Sequence, residues 1–421
     1  PVACFELSAV NNRPLNLTKS SKTPILAFTR DFCHFPNGVP NFILPHSIRV
    51  VFYRGKTLDP FFADVRTGLS TGDNQRFYKM CWEVNSAGNG WFYLSNGGEF
   101  SPFYRPSQEK IDWRNNGRPI TDYKTPGGKL ISRPQNLDYN RRAGLSYGKR
   151  GHFLAVHSHP SDKFFTNEGQ GIFPNKKELP FGFVISICNS KLLRSIINEY
   201  CGQHKENGYV SLLPIKEASK EIVDLLSQYA NEIISLLRRQ MAKRLEHAEY
   251  ALPKLSFDKN LKFNFKKWIE EVDADRDKIE EYEIKINNVV EKLYKLDFSG
   301  TNWVNGKSKE MPQSHAGLDV FQWTEEGICQ EIVDVFYGCF IGRWDIRKAI
   351  KPSLKPKQTK LFDPLPILPP GLLIGPNGFP AESDSIVSEE WLRARPDANT
   401  LPPEGSVKNP TIPDSEYLLR I

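Results

Sequence analysis

The sequence contains no Cys-x-x-Cys pair; its seven cysteines are scattered at positions 4, 33, 81, 188, 201, 329 and 339. An odd, dispersed set argues against a disulfide framework and against a structural zinc site, and fits a reducing, cytoplasmic setting. No apolar run approaches the roughly 18 residues that a membrane span requires, so no membrane partner is expected. The opening PVACFELSAV lacks the charged start and small-residue cleavage site of a secretory signal. It also lacks an initiator Met, and the expectation is a truncated chain. There is no Walker loop and no internal repeat. There is no Pro-Asp…Asp/Glu-x-Lys nuclease set either: Glu283-Ile-Lys285 supplies only its last part, inside a helical run where a solvated ion pair is expected.

What is present is the composition of a folded protein of two or three domains. The chain has 421 residues, 39% apolar and 25% charged, and aromatics reach 12%, enough for large packing surfaces or stacking platforms. The net charge of +7 is a mild bias toward polyanions and carries little weight alone.

Along the chain the pattern changes several times. Residues 1–47 are polar and loop-like and read as a connector. From 48 to 215, short apolar runs (IRVVFY, WFYL, HFLAVH, FGFVISI) alternate with Gly- and Asn-rich turns (SAGNG, SNGG, RNNG), which is strand-and-turn chemistry. From 216 to 298 helices dominate. Ile222, Leu226, Tyr229, Ile233, Leu236, Met241 and Leu245 form one run. Ile279, Tyr282, Ile286, Val289, Leu293 and Leu296 form a second, with three-four spacing. Pro253 ends the first helix and SFDKNLKFNF links it to the second, giving a long helical pair: a stiff spacer, a dimerising arm or an ordinary hairpin over a core. Arg238, Arg239, Lys243 and Arg244 are expected on its solvated face, with contact to a DNA backbone as the lesser alternative. Within 299–380 a further helix is expected over about 325–349, then extended Pro-rich backbone; 381–421 reads as a loosely ordered tail. The fold class is α+β: a strand-rich domain, a long helical pair and an extended Pro-rich C-terminal region.

Three segments carry candidate chemistry. In HSHP (157–160) two histidines one residue apart on a strand share a face, which suits a metal. A metal-dependent peptidase would need a Ser and an Asp at set distances beyond the Pro. Ser161 and Asp162 come too early, so a core-edge or surface pair is expected instead and no metal site is assigned. In GLSTGDNQRFYKMCWEV (68–84), Gly68 and Gly72 bracket a tight polar turn whose Thr71, Asp73, Asn74 and Arg76 can cap, hydrogen-bond or meet a polyanion, unless the turn is simply structural. Arg141, Arg142, Lys149 and Arg150 surround AGLSYG in a hairpin-like stretch. Four cations there suit a phosphate ridge or a groove probe; the plainer alternative is a solvated charged turn. Arg114 is a further candidate, as are Asn115 and Asn116, whose amides can pair with adenine.

The 68–84 segment resembles the opening of the target-recognition domain in TaqI-like and type IIG DNA methyltransferases. It is most similar to the PglX methyltransferases of BREX phage-defence systems, in Gly68, Leu69, Thr71, Gly72, Asp73, Asn74, Arg76 and Phe77, then Trp82-Glu83-Val84. Later pieces follow in the family's order. NGGEFSPFYRPSQEKIDWRNNGRPI resembles its Gly-Gly, aromatic and Trp-x-x-x-Gly segment, NRRAGLSYGKRGHFLAV its strand hairpin, and FGFVISICNSKLLRSIINEY its strand-plus-helix. NNVVEKLYKLD resembles the end of the long helical pair, and VDVFYGCFIGRWDIRKA with FDPLPILPPGLL the C-terminal segment of large members. Tyr104-Arg105-Pro106 departs from the family's Trp-Tyr-Gly-like piece, leaving the shape of that loop open.

The resemblance implies a parent enzyme that moves a methyl group from S-adenosylmethionine to adenine N6 at a defined site in double-stranded DNA, within a restriction or defence system whose other proteins are possible partners. Such chemistry needs a Gly-rich turn for the methyl donor and an Asn/Asp-Pro-Pro-aromatic loop for the extruded base. Neither is here: the Pro-Pro pairs at 369–370 and 402–403 each follow Leu. On this reading the chain is the DNA-reading half, partnered by a catalytic domain that precedes residue 1, with no catalytic residue or cofactor of its own. Thr71, Asp73, Asn74, Arg76, Arg114, Asn115, Arg141, Arg142, Lys149 and Arg150 are its expected DNA contacts. The alternative is a stand-alone specificity subunit like those of type I restriction systems, which usually pair two recognition domains with two helical spacers. Incubated alone with S-adenosylmethionine and duplex DNA, the chain is expected to leave adenine unmodified; label transferred to the DNA would place the donor site within these residues.

Overall fold

The computed structural model describes residues 2–4, 25–27, 50–52, 55–81, 83–84, 90–175, 179–244, 247, 250, 261–296 and 321–340. Trp82, most of 1–47, residues 299–320 and everything after 340, including the Pro-rich region and tail, lie outside the described residues. The fold is α+β. The chain divides into two compact units, one of Pro1–Arg238 with Asp275–Leu318 and one of Arg239–Ala274 with Asp319–Ile421.

The first unit is built on two four-stranded sheets. One has the order β10-β6-β7-β5, from Lys163–Phe165, Trp91–Ser95, Glu109–Asp112 and Tyr78–Met80, with β10 parallel to β6 and the rest antiparallel. The other is antiparallel throughout, β4-β11-β8-β9, from Ala63–Arg66, Gly169–Pro174, Gly144–Gly148 and Val156–His159. Two small antiparallel pairs complete the strands, β1 (Val2–Cys4) with β2 (Ile25–Ala27) and β3 (Lys56–Thr57) with β12 (Pro214–Ile215).

Successive side chains of a strand point to opposite faces, and β10 uses both. Phe164 joins Leu69, Phe77, Leu94, Ile111 and Ile120 in one core, while Phe165 meets Phe173 of β11 edge-on, with ring centres 5.1 Å apart. The strand thus ties the two sheets together, at a spacing that excludes side chains. A Cβ on Gly68 would lie 2.2 Å from the Phe165 carbonyl oxygen, and one on Gly169 would lie 2.4 Å from that of Ser95. Between them the buried Thr166 hydroxyl accepts the N–H groups of Glu168 and Gly169 and donates to Asn96 Oδ1 at 3.0 Å.

Two apolar runs expected as strands are helical. Residues 50–52 of IRVVFY form a helical turn, and FGFVISI lies in α1 (Phe181–Asn189), buried along nearly its whole length. A short run of unbroken apolar residues has no period to separate a buried strand from a buried helix. Asn189 ends α1 by pairing its carboxamide with both backbone groups of Val156, and Ser190 caps α2 (Lys191–Asn198) by accepting the Leu193 N–H.

The long helices are α3 (Lys220–Met241) and α4 (Leu261–Tyr294); LKFNF, read as linker, is the first turn of α4. The buried stripe of α4 is Trp268, Val272, Asp275, Ile279, Glu283, Ile286, Val290 and Tyr294. Its steps of three and four favour four, so it drifts off Val289 and Leu293 and admits two carboxylates. Glu283, expected in a solvated pair, is buried beside Arg194, and Lys285 pairs with Glu281 at 2.5 Å instead. In the second unit Lys243 and Arg244 lie over the rings of Trp268 and Trp323, at 5.3 and 4.6 Å, rather than on a solvated face. The third long helix, α5 (Glu325–Phe340), falls where a helix over 325–349 was expected; 341–349 lie outside the described residues. Among the described residues no helix is long and apolar enough to cross a membrane.

Both histidines of HSHP are core residues of β9. His159 Nδ1 lies 2.8 Å from Ser95 Oγ, and its ring meets Phe165 and Phe173 edge-on. Burial, with Lys163 nearby, pushes the His159 pKa down to about 3. Burial, with Arg105, Lys163 and His159 nearby, pushes His157 well below its ordinary value. The unfolded chain therefore binds protons that the folded chain refuses between pH about 6.5 and about 3. Stability is complete above that window and falls as pH drops through it, by about 1.4 kcal/mol per pH unit for His159, with His157 acting in the same direction. Urea unfolding at pH 7.5 and 5 is expected to show this loss, and His159→Gln to reduce its slope. An unchanged slope would mean that His159 takes up a proton in the folded state.

Candidate nucleic-acid interface

On the β6–β7 side of the first sheet lies an open cleft of about 750 Å³ lined by Gly90, Phe92, Trp113, Arg114, Asn115, Asn116, Pro119 and Arg141. Its floor is aromatic. Phe92 and Trp113 pack against Phe164, at 5.4 and 4.6 Å, and so belong to the core on one side and the cleft on the other. The chain leaves β7 at Asp112, passes Trp113, and enters a turn in which Asn115, Asn116 and Gly117 are all left-handed, with φ of 50°, 57° and 77°. A Cβ on Gly117 would press 2.6 Å from the Trp113 ring, which gives the Trp-x-x-x-Gly spacing a local cause. Asparagine tolerates this backbone region better than most residues but still bears a cost on the order of 1 kcal/mol. The turn holds both carboxamides exposed at the cleft.

Arg114 is fixed from behind. Its Nε donates to Asp112 Oδ1 at 2.9 Å, its Nη2 to Oδ2 at 2.7 Å, and its backbone N–H to Oδ1 at 3.1 Å. The Asp112 side chain is 6% exposed and that of Arg114 57%. Burial raises the Asp112 pKa, but the Arg114 guanidinium and N–H more than reverse it, so the carboxylate is ionised and held below its ordinary range. The same hydrogen bond, with the attraction of the two charges, raises Arg114. The guanidinium also lies 5.6 Å from the Trp91 ring centre. Arg141, itself at φ 59°, comes from the loop before β8 and places its guanidinium 4.6 Å over Phe92.

Of the residues singled out in the sequence, the structure therefore brings together Arg114, Asn115 and Arg141, with Asn116. The 68–77 turn does not line the cleft. Thr71 is buried and donates to Asn74 Oδ1 at 2.6 Å, and Asp73 caps the helical turn Asn74–Phe77 by accepting the Arg76 N–H. Asn74 and Arg76 are exposed, with Arg76 stacked over Phe77 and Tyr123. The hairpin is present as β8 and β9, but its cations fall at the two ends of β8, about 20 Å apart at the rise of a strand. Arg142 is exposed over Tyr139 and Phe173 near the Arg141 end. At the other end Lys149 pairs with Glu206 at 2.9 Å and is only 19% exposed, and Arg150 pairs with Glu168 at 3.0 Å.

Asp112, Phe92 and Trp113 were missed. Asp-x-Arg at a strand end, with an aromatic between, was the available signal, but an isolated Asp reads as a solvated residue until its burial is known. The departure at Tyr104-Arg105-Pro106 also finds its role: Arg105 lies beneath the SNGG loop and donates to the carbonyls of Asn96 and Gly97. Among the described residues no group of three or more His, Cys, Asp or Glu is placed to hold a metal ion.

No family model matches the chain, and no curated protein matches it. Among solved structures it is similar to a Type IIL restriction-modification enzyme, MmeI, solved in complex with DNA, at 12% identity and a TM-score of 0.36. That likeness covers 59% of this chain and 34% of the enzyme, so the chain spans about a third of the enzyme's length.

Proposed function

We propose that this chain reads duplex DNA for a site-specific adenine-N6 methyltransferase of a restriction or phage-defence system, with the methyl donor and the reacting base held by a catalytic domain outside these residues. The observation that carries this reading is the cleft. Its polar groups, Arg114, Arg141, Asn115 and Asn116, are guanidiniums and carboxamides, the side chains whose forked donors and acceptors match base edges. Arg114, Asn115 and Asn116 stand on a strand end and a constrained turn and Arg141 on the loop before β8, over a floor of Phe92 and Trp113. Arg142 and Arg76, exposed and paired with no carboxylate among the described residues, suit the sequence-blind phosphate contacts that set register. The order of motifs shared with the target-recognition halves of such enzymes supports the same reading.

The test is duplex binding by the whole chain across ionic strength. Each phosphate contact releases counterions and adds about 0.9 to the log–log salt slope. Arg142→Ala is expected to weaken all duplexes alike and flatten the slope by about one contact. Lys149→Ala is expected to leave the slope unchanged, because Glu206 already neutralises that charge. Affinity indifferent to salt would count against the proposal.

A further inference from the structure

We infer that Arg114 is a specificity-determining residue that reads a guanine in the major groove, and that Asp112 is the positioning residue that makes it selective. The inference rests on the proposed DNA-reading role and adds a base identity to it.

A guanidinium carries five N–H donors in one plane. Asp112 engages the edge formed by Nε and one hydrogen of Nη2, and a second hydrogen bond pins the Arg114 backbone to the same carboxylate. The edge left over is the end-on pair, one hydrogen each from Nη1 and Nη2. Two parallel donors require two adjacent acceptors. Among the four bases only guanine shows that pattern in the major groove, at O6 and N7; adenine sets a donor beside its acceptor, cytosine offers a donor, and thymine a single acceptor beside a methyl.

A phosphate also presents two acceptor oxygens, and charge separates the two cases. A phosphate contact draws its strength from an uncompensated cation and the counterions it displaces. Arg114 is compensated by an ionised, buried Asp112 at 2.7 Å, so the pair as a whole offers little net charge. What it retains is a fixed donor fork, which favours a neutral, dipolar partner. Fixation matters as much as charge balance. A guanidinium held by a buried strand residue and flanked by the Trp91 ring loses little freedom on meeting a base, and it cannot swing to a nearby phosphate. Asn115 and Asn116 lie next along the cleft and would meet the adjoining base pair.

The experiment selects binding sites for the whole chain from a randomised duplex library, and then replaces each guanine of the selected site by 7-deazaguanine, which lacks N7. One guanine is expected to be required, with its 7-deaza form costing roughly ten- to a hundred-fold in affinity. Arg114→Lys keeps the charge but loses the fork, and is expected to open that one position to any base while leaving the salt slope unchanged. Asp112→Asn is expected to open the same position. An unchanged selected site in Arg114→Lys overturns the inference. So does uniform weakening of all sequences with a flatter salt slope, which would make Arg114 a phosphate contact, and so does wild-type binding that enriches no sequence. Failure of the wild-type chain to bind any duplex at low salt would instead overturn the DNA-reading proposal itself.

Discussion

The two sheets of the first unit approach so closely at one place that backbone meets backbone. Gly68 lies against the Phe165 carbonyl, Gly169 against that of Ser95, and Thr166 fills the space between with a hydroxyl that serves three partners. Any side chain at either glycine would force the sheets apart, because the opposing atoms are main chain and cannot rotate away. Beside this contact β10 pairs with β6, strand alternation sends Phe164 and Phe165 to opposite faces, and Phe164 packs under the cleft floor of Phe92 and Trp113.

On that floor the polar groups are arranged by two local devices. A buried carboxylate at the end of β7 holds Arg114 in one orientation, and three consecutive left-handed residues turn the chain so that two carboxamides face the cleft. Both devices cost free energy: one buries a carboxylate whose cation stays exposed, and the other keeps asparagine in an unfavourable backbone region. They stand side by side in one concave surface, and on the proposed DNA-reading role that rigidity would serve selectivity, since donors that cannot adapt discriminate against a wrong partner.

The helical part shows where pattern reading loses its grip. Periodicity located α3 and α4, yet the apolar residues of α4 gave an incomplete account of its buried face. Asp275 and Glu283 occupy the buried stripe, while Val289 and Leu293 lie at its margin. A hydrophobicity pattern counts a carboxylate as a solvent residue. Whether a buried cation such as Arg194 waits for it depends on a helix almost ninety residues earlier in the chain.

What the sequence determined by itself was local: the turn chemistry around Gly72, the Asp73 cap, the hairpin of β8 and β9, and the long helices, each settled by residues within a few positions of one another. Tertiary structure decided which of these local pieces meet. It left the 68–77 turn out of the cleft, separated the hairpin's cations to the two ends of a strand, and paired Lys149 and Arg150 with Glu206 and Glu168. It also joined Arg141 to the Asp112–Asn116 segment across the floor of Phe92. The physical reason is that charge and hydrogen-bonding capacity belong to a residue, whereas availability depends on what lies opposite. For Arg114 and Asp112 the opposite group is two residues away, but burial of the carboxylate is a property of the whole sheet.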